Sequence, residues 1–144
     1  MKDYGEYKVW HKAHALVLEV YRVTADFPRE EKYELISQVR RSAVSVAANI
    51  AEGCCRYGDA EFCRFLKISA GSISETKYFF LMARDLKFLP ADRFDALTLS
   101  AAEIQQMLDS LIRKVDPKRK WMRLGVLSVA FVSFRWLLFA SSGY

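Results

Sequence analysis

The chain has 144 residues, of which 52% are hydrophobic and 27% are charged, and this balance is ordinary for one soluble globular domain. Its net charge of +5 is unevenly distributed, because residues 1–115 hold 17 bases and 16 acids whereas residues 116–144 hold five bases and one acid. The near-neutral body excludes nucleic-acid binding through a uniformly basic surface, so such binding would need a local patch.

The chain begins with charged residues, in MKDYGEYKVW, where a secretory signal would have its apolar core, so we expect a cytoplasmic protein.

The first helix is predicted from about Val9 to Asp26, because apolar residues recur every three or four positions until Phe27-Pro28. The second is predicted from the acidic pair Glu30-Glu31 to Gly53, a residue type typical of the position after a helix.

The third helix is predicted to begin with Asp59 as its N-cap and to continue to about Lys87. The fourth follows Pro90 and runs to about Val115, with one continuous apolar face. Short connections favour antiparallel neighbours, so the sequence predicts an all-α fold, an up-down-up-down antiparallel four-helix bundle. We expect residues 1–115 to form this bundle and residues 116–144 to form a basic, then apolar, C-terminal extension.

The second and third helices carry apolar residues on their outer faces as well as on their core faces. On the second helix Leu35, Val39, Ala43, Val46 and Ile50 share the core arc, and the opposite side presents Val44, Ala48 and Ala51. On the third, Ile68, Phe79 and Met82 point away from the core. Such a surface predicts a homo-oligomer interface, unless the segment after residue 115 covers it within one chain.

A third arc of the second helix, between the two apolar faces, is polar. It contains Gln38, Ser45, Asn49 and Glu52, and Ser69, Ser72 and Glu75 on the third helix are the expected partners. Because buried polar groups need hydrogen bonds, we interpret these residues as a structural network that fixes helix register. A catalytic carboxylate role for Glu52 or Glu75 is the less favoured alternative.

Three segments of the sequence carry a family resemblance: VWHKAHALVLEVYRVTADFP, QVRRSAVSVAANIAEG and FCRFLKISAGSISE. They resemble the small four-helix-bundle proteins encoded by intervening sequences in bacterial 23S rRNA genes, a group that includes the accessory proteins of diversity-generating retroelements. The resemblance implies a homopentameric barrel and no known catalytic activity. In the retroelement branch it also implies binding of nucleic acid and a reverse transcriptase through basic residues. Many relatives have proline where this chain has Ala47, so we expect a straighter second helix.

Arg40 and Arg41 match the paired arginines of that family, and they lead a set of candidate nucleic-acid contacts. The remaining members of the set are Arg56, Arg64 and Lys67. Five copies in a ring would concentrate charge that one subunit lacks. The alternative for the arginine pair is ion pairing with acids such as Glu34.

No motif in the sequence supports an enzyme, a metal site or a cofactor site. His11 and His14 are one helical turn apart, but the Glu-x-x-His pairs of di-iron bundles are absent, as are glycine-rich phosphate loops. The cysteines Cys54, Cys55 and Cys63 form no C-x-x-C pair, so we expect reduced thiols and no assembled zinc site. We therefore expect a non-enzymatic protein without a cofactor.

The extension contains KRKWMR followed by LGVLSVAFVSFRWLLFA, residues 124–140. This segment is at the lower limit of a membrane span, and Arg135 inside it adds a cost of about 2.5 to 3.5 kcal/mol to insertion. Over a membrane anchor we favour a segment packed on the bundle or in the assembly, or an extension peculiar to this chain and irrelevant to its function. The expected function is binding of RNA, DNA or a ribonucleoprotein partner, such as a reverse transcriptase or a ribosomal component. The alternatives are a protein-interaction scaffold without nucleic acid, and a membrane-tethered bundle.

Overall fold

A computed structural model describes the backbone of residues 3–116, and all of their side chains except those of Lys32 and Tyr33. Four α-helices account for most of this range: α1 (Lys8–Val23), α2 (Leu35–Cys55), α3 (Asp59–Asp85) and α4 (Ala91–Val115). Short 3₁₀ helices lie at Tyr4–Glu6, Thr24–Asp26 and Arg29–Tyr33. No strand occurs within residues 3–116, so the predicted all-α class is confirmed for them. The predicted C-terminal extension lies, apart from Asp116, outside the described residues.

Contacts between neighbouring helices establish that consecutive helices are antiparallel. Residue numbers rise on one helix as they fall on its neighbour in the pairs Ser42–Thr76, Ser45–Ser72, Lys67–Asp116, Ser74–Gln105, Lys12–Glu103 and Glu19–Arg93. These pairs join α2 to α3, α3 to α4 and α1 to α4, while Arg40 of α2 contacts Thr24 just after α1. The helices thus form the predicted up-down-up-down bundle.

The core lies along the common axis of the four helices, where each contributes its apolar stripe. Side chains with no solvent exposure come from every helix, including Val20, Ile50, Leu66, Ile73, Ile104 and Leu108. Full burial of an aliphatic side chain of this size stabilises a fold by about 1.5 to 3 kcal/mol. The apolar period of the sequence therefore accounts for the fold.

The predicted end of the second helix at Gly53 is wrong, because α2 continues to Cys55. Gly53 is buried, and a Cβ atom there would lie 2.8 Å from Phe65 Cβ and 3.1 Å from Phe62 Cδ2 on α3. The glycine is needed for close approach of two helices and does not act as a C-terminal cap. α2 also begins later than predicted, because Arg29–Tyr33 forms a 3₁₀ helix.

The predicted N-cap of the third helix is displaced by one residue. Asp59 is the first residue of α3, and the N-cap position belongs to Gly58, whose φ of 83° lies in the left-handed region. A residue with a side chain would be strained in this conformation, so glycine permits the abrupt turn between α2 and α3. Asp59 and Glu61 then place acidic side chains in the first turn, where the helix dipole favours them.

Candidate interaction surfaces

A row of small polar side chains joins α2 to α3. Ser45 Oγ lies 2.8 Å from Ser72 Oγ, and Asn49 Nδ2 donates to the backbone oxygen of Ser45 at 2.7 Å and to its Oγ at 3.0 Å. Ser69 Oγ donates to the Val46 carbonyl oxygen at 2.8 Å and has no solvent exposure. Four of the seven predicted network residues are therefore hydrogen-bonded along the contact between these two helices.

The other three predicted network residues lie at the surface and contact arginines. Gln38 Oε1 accepts a hydrogen bond from Arg41 Nη2 at 2.7 Å, and Glu75 Oε1 lies 3.8 Å from the same nitrogen. Glu52 pairs with Arg56 one turn later on α2. The side chains of Glu52 and Glu75 are about half exposed, as in ordinary surface ion pairs. The structure thus separates Gln38, Glu52 and Glu75 from the serine and asparagine row.

A second hydroxyl pair, which the sequence interpretation missed, continues the row toward the start of α2. Thr76 Oγ1 lies 2.9 Å from Ser42 Oγ and 2.8 Å from the Ser72 carbonyl oxygen. Thr76 and Ser42 are both buried. The spacing of Ser69, Ser72 and Thr76 by three and four residues was the available signal, since it places all three on one helical face.

The predicted interface residues divide into two groups by exposure. Val44 and Ile68 are 40% and 41% exposed, and Ala48 is also exposed, whereas Ala51 is half-buried. Phe79 and Met82 are half-buried and pack against the core. They line a cavity of 370 Å³ that is bounded by Leu35, Gln38 and Leu86, among others. The exposed residues of the predicted interface on α2 and α3 are therefore Val44, Ala48 and Ile68, which we call the outer apolar surface.

Four of the five candidate nucleic-acid contacts have carboxylate partners within their own chain. The pairs are Arg41–Glu75, Arg56–Glu52, Arg64–Glu61 and Lys67–Asp116. Arg41 thus has an acidic partner, which is Glu75 and not the suggested Glu34. Arg40 differs, because its Nε donates to Thr24 Oγ1 at 2.8 Å and its guanidinium lies 4.6 Å from the centre of the Tyr21 ring.

The turn between α2 and α3 combines arginines with aromatic rings. The guanidiniums of Arg56 and Arg64 lie 5.3 Å and 4.3 Å from the centre of the Phe65 ring, and Tyr57 at the tip is 95% exposed. The hydrogen bond from Arg64 lowers the pKa of the Glu61 carboxyl below its usual value. Both groups of this pair remain charged at neutral pH, so the charges of Arg64 and Glu61 offset each other.

The two histidines have contacts that do not converge on a metal position. His11 Nε2 lies 2.7 Å from the Gly5 carbonyl oxygen, and His14 stacks on Trp10 with 5.3 Å between ring centres. Across residues 3–116, no three His, Cys, Asp or Glu side chains cluster closely enough to hold a metal ion. No helix within that range has both the length and the apolarity required of a membrane span.

Comparison with known proteins gives a structural match and a family match, while none of the curated proteins compared with the chain matches it. A similar solved structure is that of a protein of unknown function from the S23 ribosomal protein family of Bacteroides thetaiotaomicron. The TM-score is 0.68 at 23% identity, over 73% of this chain and 95% of that chain, which shows a shared fold. The model of the 23S rRNA-intervening sequence proteins matches residues 5–110. The chain therefore belongs to the 23S rRNA-intervening sequence protein family.

Proposed function

We propose that this protein is a non-enzymatic, homo-oligomeric module that binds nucleic acid or a ribonucleoprotein partner. The observation that carries this proposal is the outer apolar surface, where Val44 and Ile68 are about 40% exposed on two adjacent helices. One exposed apolar side chain is ordinary on a monomer, but a group on neighbouring helices is typical of an interface. A second copy of the chain is the partner that we propose for this surface.

Assembly would also give the basic residues a function that one subunit does not provide. Within residues 3–116, four of the five candidate contacts are offset by carboxylates, whereas Arg40 contacts Thr24 and the ring of Tyr21. Because phosphate binding depends on the number of phosphates neutralised, repeated copies of Arg40 around a symmetric assembly would strengthen it. The number of copies that the resemblance implies is five.

A protein-interaction scaffold is the second candidate, and the ion pairing itself favours it. An arginine that already contacts a carboxylate must lose that contact, or share it, to bind a phosphate group. If the pairs of Arg41, Arg56, Arg64 and Lys67 persist in the assembly, the surface presents alternating charges suited to a protein partner.

The assembly can be tested with Val44→Glu combined with Ile68→Glu in the full-length protein. We expect the wild type to sediment as an oligomer at micromolar concentration and the double variant to sediment as a monomer, because two carboxylates would be buried at each contact. Tyr57→Glu is the matched control, since it adds charge at a 95% exposed residue outside the outer apolar surface. A wild type that is monomeric at these concentrations, or a double variant of unchanged mass, would contradict the proposal.

Nucleic-acid binding can be tested by fluorescence anisotropy with labelled single-stranded and duplex RNA and DNA. Electrostatic binding predicts that affinity falls at least about tenfold between about 50 and 200 mM salt. We expect Arg40→Gln to weaken it regardless of sequence. Arg84→Gln is the control, because it removes the same charge from an arginine that pairs with Asp85. Absence of binding to every probe, with protein alone recovered from the host in a pull-down, would favour the scaffold.

A further inference from the structure

A cavity of 430 Å³ lies at the end of the bundle where α1 ends and α4 begins, and we call it the end cavity. Part of its wall is apolar and includes Phe88 and Pro90, in the turn before α4. Four charged side chains complete the lining: Glu19, Arg22, Asp26 and Arg93. A volume of this size is within the range of small-molecule sites. The mixed lining suits a ligand that has both a charged and an apolar part.

Two arginines of the end cavity share one carboxylate, and we call Arg22, Glu19 and Arg93 the arginine triad. Arg22 Nη1 donates to Glu19 Oε2 at 2.8 Å, and Arg93 Nη1 donates to Glu19 Oε1 at 3.3 Å. The side chains of the two arginines are 71% and 59% exposed, so a ligand can reach them. Because one carboxylate offsets only one guanidinium, the triad retains an excess of positive charge.

The arginine triad suits an oxyanion with several acceptor oxygens. Among the described side chains, the remaining N–H groups of Arg22 and Arg93 have no acceptor. A guanidinium presents its donors as a planar fork that matches the oxygens of a phosphate group, and such charge-assisted hydrogen bonds are strong. Exposed ion pairs are weak, so either arginine can turn toward a phosphate at little cost. Two arginines from different helices would then hold one phosphate.

The remaining features of the end cavity suit a nucleobase. Phe88 is half-buried, its ring centre lies 6.0 Å from that of Phe27, and Pro90 follows close by, so the wall offers a fixed apolar surface for a planar ring. Asp26 is exposed and has no ion-pair partner among the described side chains. An ionised carboxylate only accepts hydrogen bonds, so it suits the N–H groups of a base such as guanine. An inorganic anion would use neither feature, and Asp26 would repel it.

We infer that the end cavity binds a nucleoside monophosphate, with its phosphate on the arginine triad and its base between Phe88 and Asp26. This chemical group occurs as a free nucleotide and at the end of a nucleic-acid strand. The inference goes beyond the proposed function, because the cavity is formed by α1, α4 and the turns beside them within one subunit. It depends neither on self-association through the outer apolar surface nor on Arg40.

Isothermal titration calorimetry with the full-length protein tests the class of ligand. We expect guanosine monophosphate to bind at least about tenfold more tightly than guanosine or inorganic phosphate, because only the nucleotide uses both the triad and the apolar wall. Equal affinity for the nucleotide and for inorganic phosphate would overturn the inference, as would absence of nucleotide binding at millimolar concentration.

Competition distinguishes the two sources of the nucleotide. If strand ends enter the end cavity, an RNA oligonucleotide with a 5′-terminal guanosine monophosphate should displace the free nucleotide, and the same oligonucleotide without its 5′-phosphate should not. If neither displaces it, the free nucleotide is the ligand. Displacement by both oligonucleotides alike would contradict the placement of the phosphate on the arginine triad.

Three variants test the placement of the phosphate and of the base. We expect Arg93→Gln to weaken binding of guanosine monophosphate about tenfold, because it removes one side of the arginine triad. Arg84→Gln is the matched control, since it removes the same charge from an arginine that pairs with Asp85, and it should leave the affinity unchanged. Asp26→Asn should weaken nucleotide binding about two- to fivefold and should not weaken binding of inorganic phosphate.

Equal losses in Arg93→Gln and Arg84→Gln, or tighter nucleotide binding by Asp26→Asn, would overturn the inference. A failure of self-assembly would appear separately, in sedimentation, and would leave these titrations interpretable.

Discussion

Gly53 allows the backbones of α2 and α3 to approach near the turn that joins them. It lies inside a helix, where glycine is normally unfavourable by about 0.5 to 1 kcal/mol relative to alanine. The Cβ atom of Phe65 and the ring of Phe62 leave no room for a methyl group. At this position the packing constraint therefore outweighs the helix propensity.

Alanine substitution at two helical glycines should have opposite effects. We expect Gly53→Ala to lower the free energy of unfolding by about 1 to 3 kcal/mol, because its Cβ would lie 2.8 Å from Phe65 Cβ. Gly71→Ala should raise it by about 0.5 to 1 kcal/mol, since nothing lies within 4 Å of a Cβ there. Urea unfolding at one protein concentration measures both, and equal changes in the two variants would contradict the packing argument.

The role of Gly53 could not be predicted from the sequence. A glycine before a polar turn has the same local pattern whether it ends the helix or permits a helix contact. Phe62 and Phe65, which decide between these roles, lie on the next helix. The N-cap of α3 could not be predicted either. It was expected at Asp59, but the left-handed conformation of Gly58 places it one residue earlier.

At the scale of the helices, α2 and α3 are aligned by hydroxyl contacts inside an apolar core. Ser42 with Thr76, Ser45 with Ser72, and Ser69 with the Val46 carbonyl form three successive bridges. Sliding one helix by a residue would break all three and leave buried polar groups without partners. These contacts specify the register of a pair whose small residues alone would specify it weakly.

Two threonine substitutions isolate the contribution of these bridges. We expect Thr76→Val to lower the free energy of unfolding by about 1 to 2 kcal/mol, because it keeps the shape and removes a buried hydroxyl contact. Thr98→Val should be neutral or stabilising, because Thr98 Oγ1 is buried without a hydrogen-bond partner among the described residues. Thermal or urea unfolding distinguishes the variants, and equal losses would show that the hydroxyl contacts are not the cause.

The order and direction of the helices were predictable, since apolar spacing and short connections determine them. The polar row was predictable in part, for a physical reason. A helical wheel gives the direction of a side chain but not how far it extends. Ser45 and Asn49 are short and reach α3 or their own backbone, whereas Glu52 and Glu75 extend outward to arginines.

At the scale of the whole molecule, the family and the bundle could both be predicted from the sequence. Which of the predicted interface residues are exposed could not be predicted. Phe79 and Met82 line a cavity beside the first turn of α2, whereas Val44 and Ile68 are exposed. Exposure depends on where neighbouring elements begin and end. The prediction of self-assembly stays a prediction, now centred on fewer residues.

The surface ion pairs have a consequence for how copies of the chain meet. Most arginines described here lie beside an acid on the same subunit, so the body has almost no long-range field around it. Identical proteins of high charge repel one another, and crowding several about one axis multiplies that repulsion. Subunit bodies that neutralise themselves internally avoid this barrier over residues 1–115, so the net charge that copies bring together comes almost entirely from residues 116–144.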